Sequence, residues 1–227
     1  MKKVLLCLMT LTAVVMISSC QKEKVSDGVC RISGTVTGEQ YEGKRIFLVP
    51  LNGPSTAEYV DSVVVKDGKF EFVADSFQIY KVLLDYHYRM GLQPIIIVGE
   101  PGNVWVKVGE VSYSGGTPQN DSLQHWKVLT EVYRKQTGDL RKNMVERKRM
   151  GDNALAEQLQ LRIDSLRDGY KMATRRMADN LGEGPLHDFL AGLFPMTYQK
   201  KKADGTLVTV NADTNEEVES EEVKSEE

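Results

Sequence analysis

The hydrophobic pattern of this chain changes its period at Gly115-Gly116-Thr117-Pro118. Before this point, apolar residues alternate with polar ones in short runs separated by turn residues, which is the pattern of half-buried β-strands. After it, apolar residues recur every three or four positions, as in amphipathic helices. The sequence therefore predicts an α+β protein, in which an antiparallel, β-sandwich-like domain is followed by a long antiparallel helical hairpin.

The β-domain is predicted to cover residues 29–116. Its clearest turn is Asp67-Gly68, because both residues tolerate the positive φ angles of a type I′ hairpin turn. Short strands separated by turns are typical of sandwiches and barrels, and the aromatic residues among them are expected to fill one β core. The predicted strands lie near residues 31–36, 45–51, 58–65, 69–73, 80–86, 94–98, 104–108 and 111–114.

The helical part, a hairpin and connector, is predicted to cover residues 117–195. Thr117 suits an N-cap and Pro118 the first helical position, while Asn153 is expected to cap the second helix. A short third helix is predicted at residues 186–194. The apolar face of the second helix is expected to consist of Leu155, Leu159, Ile163, Leu166, Tyr170, Ala173, Met177 and Leu181.

Residues 196–227 are predicted to be a disordered acidic tail. They carry nine acidic and four basic side chains, and they bury too little apolar surface to offset the entropy of ordering. A weak strand pair near residues 205–210 is the alternative. The helical hairpin, residues 119–181, carries 13 basic and nine acidic residues. This excess indicates a solvated face, a surface for an anionic partner, or an electrostatic clamp with the acidic tail.

Residues 1–19 are predicted to be a lipoprotein signal peptide. Two lysines precede an uncharged, mostly aliphatic segment, Val4 to Ile17, which has the length of a signal-peptide core and is too short to span a bilayer. The segment ends in Ile17-Ser-Ser-Cys20, which resembles the lipobox of bacterial lipoproteins and implies cleavage before Cys20 and acylation of that cysteine. Residues 20–28 then form a polar tether. A plain signal peptide with an accidental cysteine is the alternative.

Such an anchor implies a cell-envelope protein whose partner is the lipid bilayer, through Cys20. Gln21 rather than Asp follows the anchor, which in the usual sorting rule implies the outer membrane, on its periplasmic or its surface face. The formal charge is −3, or −5 after removal of Lys2 and Lys3, so nucleic acid is not expected as a partner. The other candidate partner is an envelope protein.

No catalytic, cofactor-binding or metal-binding residue is predicted. The mature chain keeps Cys20 and Cys30 without a Cys-x-x-Cys pair, and no internal disulfide can form if Cys20 is acylated. Cys30 is expected to be structural, at the start of a strand. The histidines lack metal-ligand spacing, and the acids of the β-domain are assigned to turns, edges and solvent faces. These residues are His87, His125 and His187, and Asp61, Glu71, Asp85 and Glu100.

Residues 29–195 resemble the N-terminal part of a known group of lipoproteins. The residues that carry the resemblance are Ile32-Ser-Gly-Thr-Val36, Val60-Asp-Ser62, Lys66-Asp-Gly-Lys-Phe-Glu-Phe72, Val98-Gly-Glu-Pro-Gly102 and Gly116-Thr-Pro-Gln-Asn120. Their order and spacing are similar to those of a domain of unknown function, with its helical connector, at the N-terminus of Gram-negative thiol–disulfide oxidoreductase lipoproteins of the alkyl hydroperoxide reductase/thiol-specific antioxidant type.

In that family the connector leads into a thioredoxin fold with Trp-Cys-x-x-Cys, whereas here Pro195 is followed by the acidic tail. The resemblance therefore implies a fold and a compartment but carries over no catalytic residue. The expected function is that of a membrane-anchored lipoprotein acting as a non-catalytic binding or scaffold module. The alternative is a truncated or split component of a thioredoxin-like redox system whose catalytic domain lies on another chain. A surface hydrolase with dispersed carboxylates is a third hypothesis, which a pocket lined by two close acids would support.

Overall fold

The structure of the chain is a computed structural model, and it describes residues 28–53, 56, 58–74, 77–84, 92–202, 205–214 and 216–218. The predicted signal peptide, Cys20, the tether up to residue 27, Asp85, His87 and the last residues of the tail lie outside the described residues. The strands are β1 (Cys30–Val36), β2 (Arg45–Pro50), β3 (Asp61–Val64), β4 (Lys69–Ala74), β5 (Ile79–Leu84), β6 (Ile95–Val98), β7 (Gly102–Val108), β8 (Tyr113–Gly115), β9 (Thr197–Lys201) and β10 (Leu207–Asn211). The helices are α1 (Pro118–Arg149), α2 (Asn153–Asn180) and α3 (Pro185–Leu193), which confirms the α+β class.

The first sheet, sheet A, has the strand order β4-β1-β7-β8. The pairs β1–β4 and β7–β8 are antiparallel, but β1 and β7 run parallel, with Cys30 opposite Gly102 and Val36 opposite Val108. Sheet A is therefore mixed rather than purely antiparallel as the sequence predicted. Parallel pairing requires a long crossover, and here the whole of the second sheet lies between β1 and β7 in the chain.

The second sheet, sheet B, is antiparallel throughout and has the order β3-β2-β5-β6. The predicted turn at Asp67-Gly68 joins β3 to β4, and its φ angles of 52° and 66° confirm the positive-φ prediction. Lys66 and Lys69 close this turn through mutual backbone N–H···O bonds. Beyond the turn the strands separate, β3 into sheet B and β4 into sheet A. The predicted hairpin is therefore a corner between the two sheets.

The two sheets pack face to face around one core. Along β1, β4 and β7 the side chains alternate between buried positions on the inner face and exposed positions on the outer face. The core includes Ile32, Phe70, Phe72, Val104 and Val106 of sheet A and Ile46, Leu48, Val82, Ile95 and Ile97 of sheet B. The predicted sandwich-like arrangement is thereby confirmed.

The helices pack against β6, the edge strand of sheet B. Strand β6 is apolar on both faces, because Ile95 and Ile97 join the sandwich core while Val98 joins a second apolar cluster with the helices. That cluster comprises Val98, Leu123, Ala178, Leu186 and Leu190. Helix α1 also contacts β8, so its N-terminal part lies across the neighbouring edge strands of the two sheets. Among the described residues, the outward side chains of β1, β4 and β7 in sheet A are exposed.

Helices α1 and α2 form the predicted hairpin. The N-cap of α2 is Asp152, whose carboxylate accepts the N–H of Leu155 at 3.2 Å, so the expected cap at Asn153 is wrong. A cap acceptor precedes the first helical residue, and Asn153 is already helical. Between the helices, the rings of Tyr133 and Tyr170 stack with their centroids 4.5 Å apart. Among the described helices, none is both long and apolar enough to cross a bilayer.

The C-terminal region departs furthest from the sequence prediction. Strands β9 and β10 pair antiparallel, with Thr197 opposite Asn211, so the predicted disorder is wrong for these strands. The alternative prediction, a strand pair near residues 205–210, is confirmed for β10, whose partner β9 lies further towards the N-terminus. The reason is tertiary, since Val210 is buried and helix α2 supplies charged partners for the segment that follows it.

Candidate binding surface

Cys30, the single cysteine among the described residues, occupies the first position of β1 and is 2% exposed. Burial is the main reason that the pKa of its thiol lies above the ordinary value of 9.0. A backbone hydrogen bond from Glu100 opposes this rise, and the negative charge of Glu100 adds to it. Since the thiolate is the reactive form of cysteine, a buried and protonated Cys30 is unsuited to thiol–disulfide exchange.

The described histidines and acids named from the sequence do not converge on one place. His125 is exposed on α1, and His187 lies on α3, where its Nδ1 is 2.9 Å from a carboxylate oxygen of Asp188. Asp61 begins β3, whereas Glu71 is exposed on the outer face of sheet A. Across the part of the chain that the structure describes, no group of three or more His, Cys, Asp or Glu side chains could hold a metal ion.

A depression of about 490 Å³ at the end of β1 is lined by three carboxylates, those of Glu39, Glu42 and Asp67. Both oxygens of Glu42 are engaged, because they accept the N–H groups of Asp67 at 2.9 Å and of Gly68 at 3.0 Å. Glu42 thus holds the corner between the two sheets. Its carboxylate is occupied by the turn, so it does not form a free acid pair of the kind that glycoside hydrolysis uses.

The structure brings together a different set of residues, on the outer face of sheet A. Trp105 of β7 lies in the middle, with Ser33 of β1 opposite on one side and Gly115 of β8 opposite on the other. Its side chain is 48% exposed. The outward, exposed side chains are Arg31, Ser33 and Thr35 of β1, Lys69, Glu71 and Val73 of β4, Asn103, Trp105 and Lys107 of β7, and Tyr113 of β8. We refer to this set as the sheet A face.

The Trp105 indole is seated on the backbone of two glycines. A Cβ atom at Gly115 would lie 2.6 Å from the indole Cζ2, and one at Gly116 would lie 2.9 Å from its Cδ1. Gly116 has a φ of 101°, which by itself favours glycine, but Gly115 has no such requirement. Its missing side chain is explained by the close approach of Trp105 and of Asp121, whose carboxylate accepts the N–H of Gly116 at 2.9 Å. The indole is therefore held in place while about half of its side chain stays exposed.

The aromatic residues of the β-domain were expected in its core, and for Trp105, which is 48% exposed, this expectation is wrong. The segment Val104-Trp105-Val106-Lys107-Val108 alternates strictly, so Trp105 shares a face with Lys107 rather than with the valines. The alternation of buried and exposed residues along β7 was therefore the sequence signal that places Trp105 on the outer face. The seat on Gly115 was not readable in this way, because it depends on which strand pairs with β7.

Polar side chains fix α1 to the sheets. Glu100, 8% exposed, accepts the N–H groups of Gln119 at 2.8 Å and of Asn120 at 3.2 Å through Oε1, so a loop of the β-domain caps the helix. Thr117 occupies the N-cap position, as predicted, but its hydroxyl accepts the side-chain amide of Asn120 at 2.8 Å instead of a helix N–H. Asn120 in turn bonds the N–H of Val98 at 2.9 Å and its C=O at 2.8 Å. A helical residue thus continues the hydrogen bonding of β6.

Lys127 of α1 links the edge strands of both sheets to the helix. Its Nζ donates to the C=O of Ile96 on β6 at 2.8 Å and to Oγ of Ser114 on β8 at 3.0 Å. The side chain is half-buried, and burial lowers the pKa of Lys127 to about 7. Glu131, one turn further along α1, pairs instead with Arg134 at 3.7 Å.

The segment after β10 is held to α2 by ion pairs. The carboxylate of Asp213 pairs with Lys171 and with Nη1 of Arg175, the latter at 2.6 Å. Arg175 also donates from Nε to the C=O of Phe194 and from Nη2 to that of Pro195, both at 2.9 Å. The hydrogen bond from Lys171, followed by that from Arg175, lowers the pKa of Asp213. The clamp that the charges of the tail and hairpin suggested is thus present at Asp213.

One part of the chain is similar to a known family. Neither the search of the curated proteins nor that of the solved structures gave a match. Residues 30–123 match the family model described as Domain of unknown function (DUF4369), and this segment comprises both sheets, the Trp105 seat and the first residues of α1.

Proposed function

We propose that the chain is an envelope lipoprotein, anchored through an acylated Cys20, whose folded part is a non-catalytic binding module. The sheet A face carries this proposal. It presents a seated, half-exposed tryptophan among basic and small polar side chains, and an exposed aromatic residue with basic neighbours is the chemistry of a contact surface. The lipobox-like Ile17-Ser-Ser-Cys20 supports the anchor.

The alternative function is that of a truncated or split component of a thioredoxin-like redox system. In that alternative this chain supplies docking, and a thioredoxin-like domain on another chain supplies the dithiol. Cys30 is a poor candidate for thiol–disulfide exchange, because it is buried and its thiol pKa is raised. A binding module with the membrane as its first partner therefore accounts best for the residues that the structure exposes.

The anchor is tested by labelling cells that express the tagged full-length precursor with radioactive palmitate. The wild-type chain is expected to incorporate the label and to sediment with membranes, whereas Cys20→Ala is expected to lose both, since acylation supplies the attachment. Cys30→Ala is the matched control and should behave as the wild type. Label that persists in Cys20→Ala, or a wild-type chain without label, would contradict the proposal.

A further inference from the structure

The sheet A face begins where the tether ends. Cys30 is the first residue of β1, a central strand of sheet A, and Arg31 is already part of the face. The ten residues from Cys20 to Cys30 span at most about 35 Å when fully extended. A seven-residue strand such as β1 is about 23 Å long, and four paired strands are about 19 Å wide. The tether is therefore long enough for the whole face to lie flat on the membrane that holds the anchor.

The side chains of the face have the composition of a membrane–water interface. Trp105 and Tyr113 are 48% and 42% exposed, and Val73 at the opposite edge is 60% exposed. Tryptophan and tyrosine prefer the depth of the lipid headgroups, where the ring is buried and its polar atom stays in contact with water. Lysine and arginine next to them can bury their aliphatic stems and keep the charge at the lipid phosphates.

The charge of the face is opposite to that of the chain. Arg31, Lys69 and Lys107 outnumber the two acids, Glu71 on the face and Asp121 beside the Trp105 seat, whereas the chain without Lys2 and Lys3 carries −5. An anionic surface therefore repels the chain as a whole and attracts this side of it. Basic residues close to an anionic leaflet contribute about 1 kcal/mol each.

We propose that the sheet A face binds the anionic lipid headgroups of the membrane to which Cys20 is anchored, with Trp105 inserted at the interface. This proposal rests on the proposed function, since it names the partner of that binding module. The tether keeps the face at high effective concentration near the lipid, so a weak intrinsic affinity is sufficient. The protein then lies with the outer face of sheet A on the bilayer.

The two tryptophans of the chain provide the test. The acylated protein is reconstituted into vesicles of phosphatidylglycerol and phosphatidylcholine, with or without bromine on the acyl chains as a short-range quencher. In Trp126→Phe, the emission of Trp105 is expected to shift to the blue and to be quenched several-fold by the brominated lipid. In Trp105→Phe, the emission of Trp126 is expected to change little, because Trp126 packs in the second apolar cluster against Phe189 of α3.

Trp126→Phe should fold, because the indole Nε1 of Trp126 is buried and has no hydrogen-bond partner among the described residues. Should it fail, the difference between wild type and Trp105→Phe gives the quenching of Trp105 directly. Lys107→Glu is expected to reduce the quenching, while Lys135→Glu on the exposed side of α1 is the matched control and should not. Loss in both variants would mean that net charge, rather than the face, governs binding, and would overturn the proposal.

Three other outcomes would also overturn it. If the protein floats with the vesicles but Trp105 is quenched no more strongly than Trp126, the sheet A face does not contact the lipid. If the blue shift of Trp105 emission appears without vesicles and depends on protein concentration, the face binds a second copy of the chain. If an envelope protein causes the blue shift of Trp105 emission and lipid does not, the face binds that protein. If palmitate labelling shows no acylation of Cys20, the proposed function fails, and flotation of the unacylated chain with the same anionic vesicles still decides whether the face binds lipid.

Discussion

Lysine side chains usually lie at the protein surface, but that of Lys127 is half-buried where α1 meets β6 and β8. Its Nζ is fixed by Ile96 and Ser114, and burial lowers its pKa from 10.5 to about 7. In the unfolded chain the lysine stays protonated up to about pH 10, so between these pKa values the unfolded state binds more protons than the folded one. The contribution of Lys127 to the free energy of unfolding therefore increases with pH in this window.

Lys127→Met is expected to flatten the pH dependence of stability. In the wild type, the free energy of unfolding from urea titrations should rise from about pH 7 to about pH 9, because the cost of burying the ammonium disappears as it loses its proton. The variant should lose this part of the rise. Lys135→Met, exposed on the same helix, is the control and should keep it. An unchanged slope in Lys127→Met would contradict the assignment.

At the scale of elements, the N-terminus of α1 depends on a residue outside the helix. Glu100 precedes α1 by a whole strand pair, and it reaches the helix N–H groups because β6 and α1 share the second apolar cluster. The negative charge also interacts favourably with the positive end of the helix dipole. The loop after β6 and the start of α1 therefore stabilise each other.

Glu100→Ala is expected to lower the free energy of unfolding by about 1–2 kcal/mol, because two helix N–H groups lose their acceptor in a buried place. Glu100→Gln should cost less, since an oxygen acceptor remains. Guanidinium titrations followed by circular dichroism measure both. Glu110→Ala, exposed in the turn between β7 and β8, is the matched control. A cost for Glu100→Ala no larger than that of the control would exclude the capping role.

At the scale of the whole molecule, the two sheets differ in how their outer sides are covered. The helices pack against β6 at the edge of sheet B, whereas the outward side chains of sheet A are exposed among the described residues. The C-terminal strands attach to α2 through Asp213, Lys171 and Arg175. Because the pKa of Asp213 lies below the ordinary 3.8, this attachment persists at neutral pH and is lost as pH falls through the lowered value.

Asp213→Asn is expected to speed the trypsin cleavage of residues 200–202 several-fold, because the C-terminal strand pair separates more often from α2. Added salt should speed the cleavage of the wild type toward that of the variant, since exposed ion pairs are screened. Time courses followed by mass spectrometry give both rates. Asp179→Asn, exposed on α2, should cleave as the wild type does. Equal rates in Asp213→Asn and wild type would show that the ion pairs do not hold the strands.

The sequence by itself determined the features that short stretches of chain encode. The two hydrophobic periods, the Asp67-Gly68 turn and the start of α1 at Pro118 follow from local propensities and steric rules, which need no distant partner. Even the outward position of Trp105 follows from the alternation of β7. The lack of a Cys-x-x-Cys pair in this sequence was likewise readable directly.

Only the tertiary structure decided how distant segments meet. The parallel pairing of β1 with β7, the change of sheet between β3 and β4, the seat of Trp105 on Gly115 and the ordering of β9 and β10 all depend on residues far apart in the chain. Strand pairing and burial are set by such long-range partners more than by intrinsic preference, so a local pattern could not specify them. The exposed face of sheet A likewise depends on the tertiary structure, because it is formed by strands that are distant in the chain.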